Sequence, residues 1–411
     1  MSARLVFTEQ FYYPDGWAGT QLPRDLTMHL ARAGYAVEVV CGSDPYAPLE
    51  GDPGDDPASA GVRLARVPRL FAGDIHDRKF LRQLAFYVGA LPRLLASRRP
   101  AAFVTQTNPP LLVVLAALVA WIRRRPLVII AMDLYPEVLF AHGSLAPRSP
   151  LGRLLSAVFR AAYRRAAAVV ALGPTMVERL VAKGVERARI AMIPNWATGE
   201  PGVVRGADNR LRALWGLEGC FVVLYSGNLG IAHDVTTPIL ALAALARELP
   251  QLRLVFVGKG SRLAEVERLA RASGVAAQVQ VRPLVPLELL PHSLGLADLA
   301  LVTLRPGFEG LVVPSKLPGL LARGVPTLYV GPPGDSASLL AQSGGGAVVA
   351  SGDVAGLAAL LRQLSGDAAA RERFGRAGAD YYARELARPI GLASYAALIA
   401  RVLGGEPPPA R

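Results

Sequence analysis

The residues best suited to chemistry lie between Ala297 and Pro326, where an apolar, strand-like run leads through a glycine-bearing loop into a helix that begins near Ser315 and Lys316. Such a junction presents unpaired backbone N–H groups to an anion, and the helix dipole favours the same negative charge. Lys316 adds a mobile cation where a phosphate would sit. The spacing therefore predicts a phosphate-binding site in the C-terminal half of the chain.

A similar junction occurs near the N-terminus, where the run Arg4–Thr8 is followed by Gly16, Gly19 and a helix from about Thr20. Glycine tolerates a positive φ and lets the backbone approach a ligand closely. Two halves that each carry a strand, a glycine loop and a helix favour a nucleotide-linked ligand held between two domains. An ordinary connecting loop is the alternative for this segment.

Two carboxylates, Asp133 and Glu137, follow the strand-like run Leu127–Met132. Side chains at the carboxyl end of a parallel strand lie where open α/β sheets bind ligands. These two are therefore candidates to orient acceptor hydroxyls or to accept a proton. The alternative is a structural loop in which both carboxylates cap backbone groups. We find no acidic or histidine cluster with the spacing of metal ligands, so we expect no metal site.

The elements that must position these residues alternate between β-rich and helical runs along the chain. Apolar strands without strict alternation are typical of parallel sheets covered on both faces, which predicts two doubly wound α/β domains. The pattern restarts after the polar stretch 197–209, and we place the boundary near 196–215. The predicted domains span 1–200 and 215–385, followed by a C-terminal helical segment at 386–411.

Charge narrows the class of partner. The 411 residues include 45 basic and 32 acidic side chains, a formal net charge of +13, which attracts nucleotides, nucleic acids or anionic lipids. The basic residues are spread over many helices without a recognised nucleic-acid module, so we expect no nucleic-acid partner. Cys41 and Cys220 stand far apart without companions and are expected to be buried and reduced.

Membrane association is a separate question. The segment Arg78–Arg99 has basic residues flanking an apolar middle, as interfacial helices do, and we hypothesise that it docks on the inner membrane. A core-packed helix with a basic solvent face is the alternative. The run Pro109–Ile122 is shorter than the ~20 residues that a spanning helix needs, so we expect it to be buried or interfacial.

Motifs along nearly the whole chain resemble those of the retaining glycosyltransferases of family 4, which have the GT-B fold. Within that family, the chain is most similar to the bacterial WbuB and colanic-acid type that builds O-antigens and exopolysaccharides. The motifs are FYYPDGWAGTQLPRDLTMHLARAGYAVEVVCG (Phe11–Gly42), DLYPEV (Asp133–Val138), MIPNWA (Met192–Ala197), LYSGNLGIAHD (Leu224–Asp234), LVFVGKGSR (Leu254–Arg262) and PSKLPGLLARGVP (Pro314–Pro326).

The resemblance implies a GT-B fold, with two Rossmann-like domains facing across a cleft and a C-terminal helix that packs back on the first. It implies a metal-independent hexosyltransferase without cofactors, peripheral on the inner face of the plasma membrane. Such an enzyme moves a sugar, by front-face attack, from a nucleotide-diphosphate sugar donor to a polyprenyl-diphosphate-linked or other saccharide acceptor. The N-terminal domain would hold the acceptor and the C-terminal domain the nucleotide sugar.

The resemblance also assigns site residues. Glu309 would reach a sugar hydroxyl, and with Asp133 and Glu137 it completes the catalytic candidates. Arg282 and Leu284 would border the base. The donor and phosphate contacts would come from Gly16, Gly19, Thr20, Gly227, Asn228, Lys259, Gly310, Leu311, Ser315 and Lys316, with Gly310 and Leu311 acting through backbone N–H groups and Ser315 as a helix N-cap.

The chain departs from the family pattern at the diphosphate site. Asn228 and His233 stand where an arginine and a lysine are common, and Leu311 and Gly319 stand where two glutamates are common. Lys259 and Lys316 are the candidates to supply the missing charge. Two alternatives stay open: a non-catalytic nucleotide-sugar-binding partner that has lost activity, and a sugar-nucleotide 2-epimerase with the same fold.

Overall fold

The computed structural model describes residues 2–14, 18–43, 55–68, 79–199 and 202–405. The chain forms two compact units, Met1–Pro194 with Pro389–Arg411, and Asn195–Arg388. The units thus divide at Pro194, close to the boundary expected at 200, and the chain re-enters the first unit at Pro389, close to the one expected at 386.

The first unit is built on a seven-stranded sheet in the order β3-β2-β1-β4-β5-β6-β7, in which every neighbouring pair is parallel. Its strands are β1 (Arg4–Glu9), β2 (Ala36–Gly42), β3 (Arg63–Val67), β4 (Ala102–Gln106), β5 (Leu127–Ile130), β6 (Ala168–Ala171) and β7 (Ile190–Met192). Its helices are α1 (Gln21–Arg32), α2 (Lys79–Ala96), α3 (Leu112–Arg123), α4 (Glu137–Ala141), α5 (Pro150–Arg165) and α6 (Pro174–Ala182).

The second unit has a six-stranded parallel sheet in the order β10-β9-β8-β11-β12-β13. Its strands are β8 (Phe221–Ser226), β9 (Leu252–Val257), β10 (Val279–Arg282), β11 (Leu299–Thr303), β12 (Thr327–Val330) and β13 (Gly346–Val349). Its helices are α7 (Arg210–Leu214), α8 (Thr236–Leu245), α9 (Leu263–Ala272), α10 (Leu290–Gly295), α11 (Lys316–Ala322), α12 (Asp335–Ser343), α13 (Val354–Gly366) and α14 (Ala368–Tyr381).

Burial explains why these runs form strands. Every residue of β4 and β11 is buried, as are the first five residues of β8. Helices cover both faces of a parallel sheet, so its inner strands are apolar on both sides and do not alternate. The predicted pair of doubly wound, Rossmann-like domains is confirmed.

In each sheet the direction of strand order reverses once, between β1 and β4 in the first unit and between β8 and β11 in the second. The carboxyl ends of the strands on either side of such a switch point border a crevice, which is where open α/β sheets bind ligands. The loops after these strands are therefore the places to look for a site.

The last helix, α15 (Arg388–Val402), completes the first unit. It buries Tyr395 together with Leu398 and Ile399. Glu9 at the end of β1 lies near enough to Tyr395 to add, after burial, to the rise in the pKa of its hydroxyl. Among the described residues, no helix combines the length and the apolar character needed to cross a membrane.

A substitution of Asp234 tests whether its carboxylate stabilises the second unit. Its buried carboxylate accepts hydrogen bonds from Thr236 N (3.0 Å), Thr237 N (3.2 Å) and Thr237 Oγ1 (2.6 Å), and from Ser351 Oγ, which joins the start of α8 to the loop after β13. We expect Asp234→Ala to cost about 3 kcal/mol, because several buried donors lose a charged acceptor. Urea titration of hydrogen-exchange protection in β8 and β11 measures this loss.

Asp353→Ala is the matched control. Asp353 is exposed and caps α13 through one backbone N–H, that of Gly356 at 2.8 Å. We expect it to cost only about 1 kcal/mol. Equal losses for the two variants would contradict the assignment of Asp234 as a buried tie between two elements.

Candidate functional site

In the second unit, the loops after β8 and β9 pack backbone against backbone at the switch point. Gly227 has a φ of +120° and donates its N–H to Val257 O at 2.8 Å. A Cβ on Gly258 would stand 2.0 Å from Gly227 O, and one on Gly260 would stand 2.3 Å from Leu229 O. Only glycine permits this contact, so the loop predicted to hold phosphate is fixed by close backbone packing.

Lys316 reaches this glycine loop from α11. A Cβ on Gly227 would lie 3.7 Å from Lys316 Nζ, and Nζ lies 3.3 Å from the centroid of the Tyr225 ring. Nζ is buried and has no hydrogen-bond partner among the described residues. Burial lowers the pKa of the Lys316 amine well below its usual range, while the ring face favours the charged form. An anion bound at this position would raise the pKa of the Lys316 amine again and favour its positively charged form.

The two residues that replace the family's cations behave differently. His233 donates from Nδ1 to Thr303 O at 2.8 Å, and burial and then nearby Lys316 lower its pKa to about 3. His233 is therefore neutral at physiological pH and supplies no cation. Asn228 is exposed, and its backbone carbonyl accepts a hydrogen bond from Tyr225 Oη at 2.8 Å. Lys316 and the exposed Lys259 therefore remain the candidates to supply positive charge at these loops.

The loop after β11 corrects two predictions. Leu311 donates its N–H to Phe308 O at 3.0 Å and buries its side chain, so this N–H is engaged in a turn. Ser315 stands at the N-cap position of α11, but its side chain is exposed and makes no capping bond. Gly310, at a φ of +71°, forms the turn that leads to them.

Glu309, in the same loop, is half-buried and lies near Tyr329. Burial raises the pKa of the Tyr329 hydroxyl, and the charges of Glu309 and Asp335 add to this rise. Asp335 is the first residue of α12, and its side chain is buried. The two acids and the tyrosine thus form one group at the carboxyl ends of β11 and β12.

The predicted base-binding residues lie at the end of β10. Arg282 places its guanidinium 5.5 Å from the Trp215 ring centroid and donates to Gln280 Oε1 at 3.2 and 3.3 Å. Its carbonyl accepts the Gly258 N–H at 2.9 Å, which connects this strand end to the glycine loops. Leu284, two residues further on, is 49% exposed, and Lys259 between the glycines is exposed.

In the first unit, Asp133 is held at the end of β5 by a neighbouring loop. Thr107 Oγ1 accepts hydrogen bonds from Met132 N at 2.9 Å and Asp133 N at 3.0 Å, which joins the segments after β4 and β5. Burial raises the pKa of the Asp133 carboxyl to about 6. A carboxylate with this pKa is ionised at neutral pH and still basic enough to accept a proton.

Glu137 has a structural partner that the sequence analysis missed. Its carboxylate forms an ion pair with the buried Lys183, which follows α6, and Lys183 Nζ also donates to Tyr135 O at 3.1 Å. Lys183 is 7% exposed and lies 5.5 Å from the Tyr163 ring centroid. The structure thus gives the Glu137 carboxylate a structural role, to neutralise a buried lysine, and the catalytic role stays a prediction.

The first glycine junction is described only in part, because Gly16 lies outside the described residues. Gly19 and Thr20 belong to a single turn, Ala18–Thr20, that leads into α1. Thr20 is buried at the N-cap position of α1, where its side chain makes no capping bond.

A cluster of buried polar residues at the switch point of the first sheet was also missed. Thr8 and Glu9 end β1, Gln10 follows it, and Gln106 ends β4. Each has a buried side-chain atom with no hydrogen-bond partner within the described part of the chain. Burial raises the pKa of Glu9 well above its usual range. The signal in the sequence was the change from apolar to polar residues at the end of two strand-like runs.

Comparisons with known proteins identify both halves. Residues 20–196 match the family profile described as glycosyl transferase 4-like domain, and residues 210–381 match the one described as glycosyl transferases group 1. The chain is 29% identical to a Pseudomonas aeruginosa protein named as glycosyltransferase WbjE, over 57% of this chain and 58% of that protein. It is 30% identical to the Escherichia coli K12 protein WcaI, named for colanic acid biosynthesis, over 42% and 43%.

These alignments span less than two thirds of the length of either relative. Among solved structures, that of Anabaena HepE in complex with UDP superposes with a TM-score of 0.69 at 16% identity, over 97% of this chain and 100% of that one. A likeness at this identity shows a shared fold.

Variants of the Glu137–Lys183 pair distinguish a structural role of Glu137 from a catalytic one. We expect Glu137→Gln to destabilise the first unit by roughly 2–4 kcal/mol, because it leaves a buried ammonium without its counter-charge. The double variant Glu137→Gln with Lys183→Met removes both charges and should recover most of that loss. Urea unfolding of β5 and β6, followed by hydrogen exchange, gives the three stabilities.

Activity of the double variant decides the role. A stable double variant that keeps wild-type turnover supports the structural assignment, and one that is stable but inactive would return Glu137 to the catalytic candidates.

Proposed function

This chain belongs to the glycosyltransferases of the GT-B fold, and we propose that it transfers a hexosyl unit from a nucleotide-diphosphate sugar to a saccharide acceptor in the synthesis of a cell-surface polysaccharide. The observation that supports the proposal most is the buried Lys316 Nζ beside Gly227, at the switch point of the second sheet. The names of WbjE and WcaI support the class of reaction, and WcaI's name supports polysaccharide synthesis.

Lys316 is suited to the leaving group. Glycosyl transfer develops negative charge on the departing nucleotide diphosphate as the anomeric C–O bond breaks. Burial favours the neutral amine in the free protein, and a diphosphate beside Nζ would favour the ammonium form, so positive charge would develop on Lys316 as the anion binds. Asn228 can add a hydrogen bond from its exposed amide, and Lys259 a second positive charge. HepE has been solved with UDP and with UDP-glucose, which supports a nucleotide donor for this chain.

We extend the proposal to a retaining, metal-independent reaction on the strength of the family resemblance. An acceptor hydroxyl oxygen would bond to the anomeric carbon on the face from which the diphosphate leaves, and the proton would pass to the departing phosphate oxygen or to a nearby base. Lys316 would neutralise the negative charge of the phosphates, as a metal ion does in other transferases. Glu309 would orient a hydroxyl of the transferred sugar.

On the acceptor side we propose Asp133 as the residue that orients the attacking hydroxyl and accepts a proton. Its backbone is fixed by Thr107, and its raised pKa suits proton transfer near neutral pH. The acceptor would be a polyprenyl-diphosphate-linked saccharide, so the protein would work as a peripheral protein on the inner face of the plasma membrane. WcaI's name, which places that protein in colanic acid biosynthesis, supports a saccharide acceptor.

Nucleotide binding tests the donor site. Calorimetric titration with UDP, GDP, dTDP and CMP should find one diphosphate that binds equally well with Mg²⁺ and with EDTA. Lys316→Met keeps the aliphatic length of the side chain over Tyr225, and we expect it to weaken that binding by roughly 10- to 100-fold because it removes a charge-assisted contact. Binding should also take up a proton at pH 8, because the diphosphate raises the pKa of Lys316 from its lowered value.

Two titration buffers of different ionisation enthalpy reveal the proton uptake, and Lys316→Met should abolish it. Lys259→Met serves as the matched variant, since Lys259 is exposed and should contribute less to affinity. Unchanged affinity in Lys316→Met would refute the role of Lys316, and failure of every nucleotide to bind would refute the proposed donor.

Asp133 gives a pH test. With the sugar nucleotide that the titration identifies and lipid-linked acceptor extracted from bacterial membranes, kcat/KM should fall as the pH drops below about 6, because the base is then protonated. Asp133→Asn should lower kcat by roughly 100- to 10,000-fold and leave nucleotide affinity unchanged. A pH profile that Asp133→Asn leaves intact would exclude Asp133 as the base.

A further inference from the structure

Exposed apolar side chains of the first unit concentrate on three helices. Leu84 and Val88 of α2, Leu118 and Trp121 of α3, and Leu151 and Leu154 of α5 are each between 43% and 63% exposed. Within each helix the pair is three or four residues apart, so both members lie on one face. Large exposed apolar groups that recur on adjacent helices mark an interaction surface rather than scattered exposure.

The three helices are neighbours. Helix α3 packs against both α2 and α5. Arg123 at the end of α3 donates to Ser97 O at 2.8 Å and to Leu95 O, which attaches α3 to the end of α2. Across the other side, the Arg165 guanidinium of α5 lies 6.0 Å from the Trp121 ring centroid. The outward side of α2, α3 and α5 is called here the α2–α3–α5 face.

Nearly all of the net charge of the chain lies in this region. Residues 79–177, which include the three helices, contain 13 basic and two acidic residues, whereas the rest of the chain contains 32 basic and 30 acidic residues. The two acids are Asp133 and Glu137, and Glu137 is paired with Lys183. None of α2, α3 and α5 carries an acidic residue. The apolar residues therefore share their helices with positive charge that no acidic residue of those helices balances.

We propose that the α2–α3–α5 face docks on the surface of an anionic lipid bilayer, with Trp121 and the leucines entering the interface and the arginines of the helix ends meeting the lipid headgroups. Aliphatic groups with an amphipathic aromatic and a basic rim fit a lipid interface. A second copy of the chain would bring equal positive charge against this face and be repelled. Nucleic acid would pair with the arginines but leave the leucines and Val88 without an apolar partner.

This surface differs from the one that the sequence alone indicated. The sequence analysis placed docking on Arg78–Arg99, which corresponds largely to α2. In the structure, Trp121 of α3 is 63% exposed, more than any other aromatic side chain that the structure describes, and it contacts Arg165 of α5. The inference rests on the proposed function for its biological purpose, because a lipid-linked acceptor must be met at a membrane. The binding itself can be measured without any activity.

Vesicle flotation tests the proposal with the full chain. The protein should float with vesicles of phosphatidylglycerol and phosphatidylcholine in equal parts, remain at the bottom with pure phosphatidylcholine, and detach as NaCl rises towards 1 M. Trp121→Ser with Leu118→Ser should reduce binding at least tenfold through loss of apolar contact. Arg124→Gln with Arg125→Gln should reduce it about fivefold for each charge removed.

Matched controls lie in the second unit. Leu214 is 75% exposed on α7, and Leu214→Ser should leave flotation unchanged, as should Arg268→Gln with Arg271→Gln on exposed positions of α9. Each variant is also titrated with the nucleotide that the wild-type protein binds. Intact nucleotide affinity together with lost flotation supports the proposal and shows that the variant is folded.

Three outcomes would overturn it. Binding to pure phosphatidylcholine as strong as to anionic vesicles would remove the role of the arginines. Flotation that both pairs of variants retain would place docking elsewhere. Binding of a DNA duplex in preference to anionic vesicles would assign the face to nucleic acid. None of these results bears on nucleotide binding, so failure of this inference and failure of the proposed function remain distinguishable.

Discussion

The contact between the loops after β8 and β9 is the constraint on which the candidate donor site depends. Gly258 and Gly260 allow the backbone of one loop to lie against Gly227 and Leu229 of the other, at distances that any side chain would prevent. Lys316 lies against this contact, with its buried Nζ 3.3 Å from the centroid of the Tyr225 ring.

The residues at the two positions where the sequence analysis expected cations are both uncharged here. His233 replaces one of them and is neutral, because burial and the nearby Lys316 lower its pKa to about 3. A second cation close to Lys316 would be disfavoured by like-charge repulsion, which adds to the fall in the pKa of His233. The neutral imidazole instead donates to Thr303 O and packs edge-on to Tyr225, so it supports the ring that Lys316 covers.

The first unit uses charge in two separate ways. Its interior carries few charges, and these are neutralised or shifted in pKa: Glu137 offsets Lys183, while burial raises the pKa values of Asp133 and Glu9. Its surface carries a large surplus of arginine beside exposed apolar groups. Arginine tolerates this placement because its long stem can cover apolar surface while the guanidinium stays in water. The same unit therefore has buried polar residues at the ends of its strands and, on its surface, arginines beside exposed apolar side chains.

The sequence by itself determined the fold and the order of the two domains, and it indicated where the candidate donor site lies. Apolar runs that do not alternate, separated by helices, specify parallel sheets, and polar or glycine residues at strand ends mark the carboxyl edge, since both signals depend only on local order along the chain. Tertiary structure alone decided which of these residues meet. The pairing of Glu137 with Lys183, the position of Lys316 over Tyr225 and the N–H of Leu311 within a turn depend on distances between segments far apart in sequence, or on the path of one loop. Packing of the whole unit sets these distances, and they cannot be read from the residue types at the site alone.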